Sequence, residues 1–172
     1  MVSLIGICMI PFALAQRTTA KGNRPATTIT VTNGNDSGPG SLRQALADAS
    51  DGDMITFAVT GAIQLTSGEL VIDNSITISG PGADSLAVFS NTFRIFHVMP
   101  GPTVTIAGLT IRGGFVQYDF GGGILNDHAT LTLTNCAVDT NEAFGGGGIY
   151  NDGAGGSATL KPRIRSRFAS RM

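Results

Sequence analysis

The chain is short of the residues that build most other architectures. It has only two cysteines in 172 residues, and charged side chains make up 13% of it. Helix-forming runs are sparse, so a bundle is excluded. One cysteine, Cys8, falls in an apolar N-terminal run. Without that run Cys136 stands alone in an alternating stretch, as a buried, inert thiol, and no disulfide can staple the chain. Stability must then come from stacked backbone hydrogen bonds and side-chain ladders. A basic face is missing too. Lys161, Arg163, Arg165, Arg167 and Arg171 crowd the last dozen positions, while the acidic residues are spread through a net acidic body that ends at Asp152. That pattern excludes a nucleic-acid footprint, which requires cations on a folded surface. What is plentiful is glycine: 24 residues with 7 prolines, about double ordinary glycine usage. No Gly-x-x period accompanies it, so collagen is excluded, and the glycines gather into clusters between short runs rich in Thr, Ile and Val.

The run from Val2 to Ala15 is too short to span a bilayer as a helix, and it ends Ala13-Leu14-Ala15. Residues 1–15 therefore read as a signal peptide cleaved before Gln16, although a basic n-region is lacking. Export to the cell surface or medium is the expectation, with no transmembrane span in the mature chain. Cys8 lacks the preceding small residue of a lipoprotein signal. Residues 16–26 read as a flexible lead-in.

One unit occurs twice. Gly121-Gly122-Gly123-Ile124-Leu125-Asn126-Asp127 returns as Gly146-Gly147-Gly148-Ile149-Tyr150-Asn151-Asp152 at an interval of 25. Each copy precedes an Ala-Thr-Leu triplet, Ala129–Leu131 and Ala158–Leu160, spaced at 29. The runs starting at Val104 and Leu131 align at 27, and those at Ile76 and Val104 at 28. Periods of this size mark solenoids. Between them lie short alternating strands with neither hairpin turns nor crossover helices: 54–59, 62–65, 70–72, 75–79, 85–89, 93–99, 103–106 and 109–111. The pattern predicts a parallel β-helix over 27–160, with each inward residue stacked on its equivalent one coil away. One helix is expected at 41–50. Ser41 would cap it with Gln44 as capping-box partner, and it would cover the open first coil.

The stretch Thr32 to Ala45, closing on Ser41-Leu42-Arg43-Gln44-Ala45, resembles the start motif of bacterial secreted and surface proteins that continue as right-handed parallel β-helix repeats. More loosely, the Gly-Gly-Gly-Ile corners are similar to repeats of the chlamydial polymorphic outer-membrane proteins. Gln44 stands where an acidic residue is usual. The resemblance implies an all-β, pectate-lyase-like solenoid and an exported, adhesin-like role. It also departs from that pattern at the end: Lys161 onward, with Pro162, cannot continue a central strand. Residues 161–172 read as a disordered basic tail, from a truncated or frame-shifted reading or as a purposeful contact with anionic surfaces. An uncapped last coil would favour end-to-end self-association.

For chemistry, Asp127 and Asp152 are the best carboxyl pair, since they should stack on adjacent coils. With Asp139 and Glu142, and Asp119 near the preceding corner, they form a weak oxygen-rich Ca²⁺ set. Arg112 is the candidate lyase base. His97 and His128 read as strand residues, and neither a Ser-His-Asp set nor a metal-spaced His/Cys set is seen. The structural reading of the repeated corner outranks the catalytic one: Gly121, Gly122, Gly123, Gly146, Gly147 and Gly148 form the turn, Ile124 and Ile149 point inward, and Asn126 and Asn151 stack. The function expected is non-catalytic presentation of a rigid repetitive face to glycans or cell-surface proteins. The alternative is a polysaccharide lyase or glycoside hydrolase relic acting on acidic polysaccharide.

Overall fold

A computed structural model describes residues 24–152 and 156–161, together with the backbone of 165–167. The expected signal peptide, most of the lead-in, Cys8 and the remainder of the basic tail lie outside the described residues.

The chain winds as a parallel β-solenoid of about five coils. It opens with β1 (Thr28–Val31) and α1 (Leu42–Asp48). Two three-strand coils follow, β2 (Met54–Phe57), β3 (Gly61–Gln64) and β4 (Leu70–Ile72), then β5 (Thr77–Ser79), β6 (Leu86–Phe89) and β7 (Phe96–Val98). The next two coils carry an extra strand each. They are β8 (Thr103–Ala107), β9 (Thr110–Arg112), β10 (Phe115–Phe120) and β11 (Ile124–Asp127), then β12 (Thr130–Thr134), β13 (Ala137–Asp139), β14 (Glu142–Gly145) and β15 (Ile149–Asp152). The chain then enters β16 (Ser157–Lys161) and β17 (Arg165–Arg167).

Equivalent strands stack into three parallel sheets. The first is β1-β2-β5-β8-β12-β16, the second β3-β6-β9-β13-β17 and the third β4-β7-β11-β15. β10 and β14 pair separately as a side sheet inserted between the second and third. Sequence reading missed this side sheet, because its strands expose most of their residues and lack the alternation that marks a core strand. Lys161 belongs to β16, and Arg165–Arg167 pair with β13. So part of the stretch read as a structureless tail is strand.

The core is a set of vertical aliphatic stacks. On the first sheet the inward row is Ile29, Ile55, Ile78, Ile106, Leu133 and Leu160, one residue per coil. On the second it is Ile63, Val88, Ile111 and Val138. Burying each such side chain contributes about 1.5–3 kcal/mol. Cys136 lies in the same core, and its thiol donates to Ile106 O. The outward row of the first sheet is Thr28, Met54, Thr77, Thr105, Thr132 and Thr159. β-branched hydroxyl residues suit such a pleated, half-exposed surface.

The register settles the repeat. Gly121 to Asp127 stack on Gly146 to Asp152 at the interval of 25, as Ile124 pairs with Ile149. The following strands instead pair Leu131 with Ala158 and Leu133 with Leu160, an interval of 27. The match of the two Ala-Thr-Leu triplets at 29 is therefore a coincidence of composition. Two extra residues between Asp152 and Ser157 account for the change from 25 to 27.

α1 packs its buried Leu42, Ala45 and Leu46 over the first coil. Its seven residues are fewer than the sequence suggested. Ser41 Oγ accepts from Gln44 N–H, but the Gln44 side chain donates forward to Asp48, so the capping box is half made. The remaining motif residues have clear tasks. Leu42 is buried, and Arg43 ties Asp36 in the preceding turn to the carbonyls of Gly68 and Glu69. Among the described residues no helix is long and apolar enough to cross a membrane.

Candidate functional site

At the corner leaving the third sheet, strand alternation turns Asn126 and Asn151 inward and Asp127 and Asp152 outward. Asn126 continues the inward row Ile72, Val98, and its amide donates to Ala129 O and to Asn151 Oδ1. The glycines before them divide the work. Gly121 and Gly146 have positive φ, 67° and 59°, which favours glycine. Gly123 instead permits close stacking, because a Cβ there would lie 2.4 Å from Gly148 O. Outside, Asp127 and Asp152 are register partners. His128 follows with φ 55° and turns back over them. Its Nδ1 bonds Asp127 Oδ1 and lies 4.0 Å from Asp152 Oδ2. The hydrogen bond to Asp127 raises the imidazole pKa above its ordinary value, the Asp152 and Asp127 charges add to this, and desolvation opposes it. One donor atom from each of the three residues falls within 4.8 Å of the others. His128 was read as a strand residue, and only its left-handed backbone brings it here.

The other candidates do not join this group. Asp139 and Glu142 belong to the corner between the second sheet and the side sheet. The five-carboxylate Ca²⁺ set is thus dispersed, with Asp139 and Glu142 here, Asp127 and Asp152 at the corner after the third sheet, and Asp119 near the end of β10 against Arg94. Among the described residues Asp139 Oδ1 is buried without a hydrogen-bond partner. Arg112 pairs in register with Asp139, but its guanidinium sits over the Phe89 ring, 5.2 Å from the centroid. Arg112 is therefore on the second sheet, away from the Asp127–Asp152 pair it was expected to serve.

A second constellation escaped sequence reading. Glu69, Arg94 and Asp119 come from three successive coils and meet around the guanidinium, although they are not register partners, since Leu70 pairs with Phe96, Phe96 with Ile124, and Asp119 belongs to β10. Arg94 is buried at 4% exposure. It reaches Glu69 Oε2 at 2.6 Å and Asp119 Oδ2 at 2.5 Å, and donates to the carbonyls of Phe120 and Gly121. Burial of this charge is tolerated because the guanidinium is fully paired. The Phe120 N–H and then Arg94 hold the Asp119 carboxyl below its ordinary pKa. His97 Nδ1 lies 3.0 Å from Glu69 Oε1, and its Nε2 is buried without a partner.

Above this cluster stands an aromatic wall. Phe120 stacks on Tyr150 with centroids 4.4 Å apart and meets Phe144 edge-on at 5.9 Å. On the same two side-sheet strands Tyr118 is 87% and Phe144 76% exposed. A groove of about 300 Å³ opens lower on the third sheet, between it and α1, lined by Arg43, Leu46, Glu69 and Val71. Matching like with like in the sequence could not find this cluster, because its members differ in charge and occupy different register positions.

No protein-family model matches the chain. A probable pectate lyase C of Aspergillus terreus is 40% identical over 98 residues, which take in 52% of this chain. The chain spans 23% of that protein's length. The solenoid and this similarity agree on a pectate-lyase-like β-helix.

Proposed function

We propose that the chain is part of an exported parallel β-helix protein that holds a neutral glycan against its side sheet without cleaving it. The observation that carries this reading is the pair of exposed rings, Tyr118 and Phe144, projecting beside a packed aromatic wall. Exposed apolar patches mark interaction surfaces, and flat rings offer the apolar stacking surface that sugar C–H faces fit. The neighbouring charges argue for a neutral sugar. Arg94 is consumed by its two carboxylates and two carbonyls, which leaves Glu69 and Asp119 a net negative contribution. The start motif and the apolar N-terminal run support export and a surface role like that of the bacterial β-helix proteins they resemble.

The alternative is a lyase or hydrolase relic acting on acidic polysaccharide, favoured by the pectate lyase similarity. Against it stand the separation of Arg112 from the aspartate pair and the acidity of the face. Affinity electrophoresis in gels containing neutral or acidic polysaccharide discriminates between the two. The chain should be retarded by a neutral glycan, and Tyr118→Ala with Phe144→Ala should weaken retention about tenfold. Release of unsaturated or reducing ends from acidic polysaccharide, with or without Ca²⁺, would overturn the binding-only reading.

A further inference from the structure

We infer that Asp127, His128 and Asp152 form a binding site for a first-row divalent transition metal ion of the Zn²⁺ type. Three observations meet here. First, in-register pairing sets Asp127 and Asp152 side by side on adjacent strands, and strands are about 4.8 Å apart. Two carboxylates at that spacing repel each other, and the group that faces both is the His128 imidazole, whose place between them a cation can share. Second, His128 adopts φ 55°, a region uncommon for residues other than glycine. That turn directs Nδ1 toward both carboxylates instead of out along the strand. Third, the donor atoms converge within 4.8 Å while the side chains stay 31%, 38% and 47% exposed for Asp127, His128 and Asp152. An ion can enter and keep water in its remaining coordination positions.

The donor set selects the class of metal. Ca²⁺ takes six to eight oxygens, and two carboxylates with an imidazole do not supply them. One imidazole nitrogen with two carboxylate oxygens suits Zn²⁺ and its neighbours in the first transition row. On binding, the ion takes the place of the proton between Nδ1 and Asp127, and Nε2 keeps its hydrogen facing outward. The supporting shell is already built. The Asn126–Asn151 bond locks the two strands beneath the ligands, and such outer contacts fix ligand orientation. Nothing in this site depends on the glycan reading, whose residues lie on the side sheet.

The test uses the full chain, stripped with a chelator and titrated with Zn²⁺ by calorimetry. Saturable binding of one ion per chain is expected. Asp152→Asn and His128→Asn should each weaken it about tenfold or more, and Glu142→Gln should leave it unchanged. Asn is chosen at 128 because it tolerates the left-handed backbone, so the fold is kept. As a measurement on the unaltered chain, ¹⁵N NMR should show Zn²⁺ shifting the Nδ1 resonance of His128 and leaving that of His97 in place. Absence of saturable binding, undiminished affinity in His128→Asn, or a shift at His97 instead of His128 would each overturn the assignment.

Discussion

Asn141 shows how much one side chain does in a fold made of corners. It is buried at 7% exposure, its Oδ1 accepts from Gly114 N–H at 2.8 Å, and its Nδ2 donates to Ile111 O at 3.0 Å. Asn141→Ala would strand two buried backbone groups, and each costs about 1–3 kcal/mol. We expect a loss of about 2–4 kcal/mol in denaturant unfolding. Two aspartates do comparable work through charge. The backbone N–H groups of Thr27 and Ser50, with Arg24, bring Asp53 from 3.8 to about 2. At Asp36 burial pushes the other way, but hydrogen bonds from Arg43, Ser67 and Thr66 prevail and also bring it to about 2. A depressed folded-state pKa stabilises above the unfolded value and loses that stabilisation as pH falls through the folded one. Thermal melts should therefore show the first coils weakening as pH drops from about 4 to about 2. Replacing both residues with Asn should flatten that slope. A slope of the same steepness in the double variant would refute it.

Among the elements, the side sheet depends most on a single residue. Arg94, from the coil below, grips the end of β10 through Asp119 and the carbonyls of Phe120 and Gly121. Arg94→Met leaves these groups and Glu69 without their donor. The two carboxylates are partly exposed, which moderates the cost to about 2–4 kcal/mol. Hydrogen exchange should quicken in residues 115–121 before it does in β8 or β12. How far the elements were legible follows from what each one buries. Strands such as β8 and β12 alternate strictly because one face is core, and they align by eye. The side-sheet strands bury little, so they carry no period. The helix was readable from Ser41 and its apolar stripe, but its true length depends on where the chain turns into Ala49. At the candidate metal corner the aspartates were legible from the repeat. His128 was not, since its place directly before an alternating run reads as the start of a strand and not as a left-handed corner.

Over the whole molecule, stability runs along the axis as a sum of contacts between neighbouring coils. Ile106 is fully buried between Ile78 and Leu133, while Leu160 of the same row is 54% exposed. Ile106→Ala should cost about 2–5 kcal/mol. Leu160→Ala should cost under about 1 kcal/mol. Equal losses in the two variants would show that the coils do not stack as independent rungs. Such a ladder carries a hazard of its own, because coils of similar pattern can mispair by skipping one. The Glu69–Arg94–Asp119 cluster guards against this error. Were the coil bearing Arg94 looped out during folding, Glu69 and Asp119 would both lose the guanidinium that bridges their coils, and the skipped arrangement would leave two carboxylates uncompensated. One buried cation thus numbers the coils, giving a repetitive chain an order of assembly that its aliphatic stacks alone do not specify.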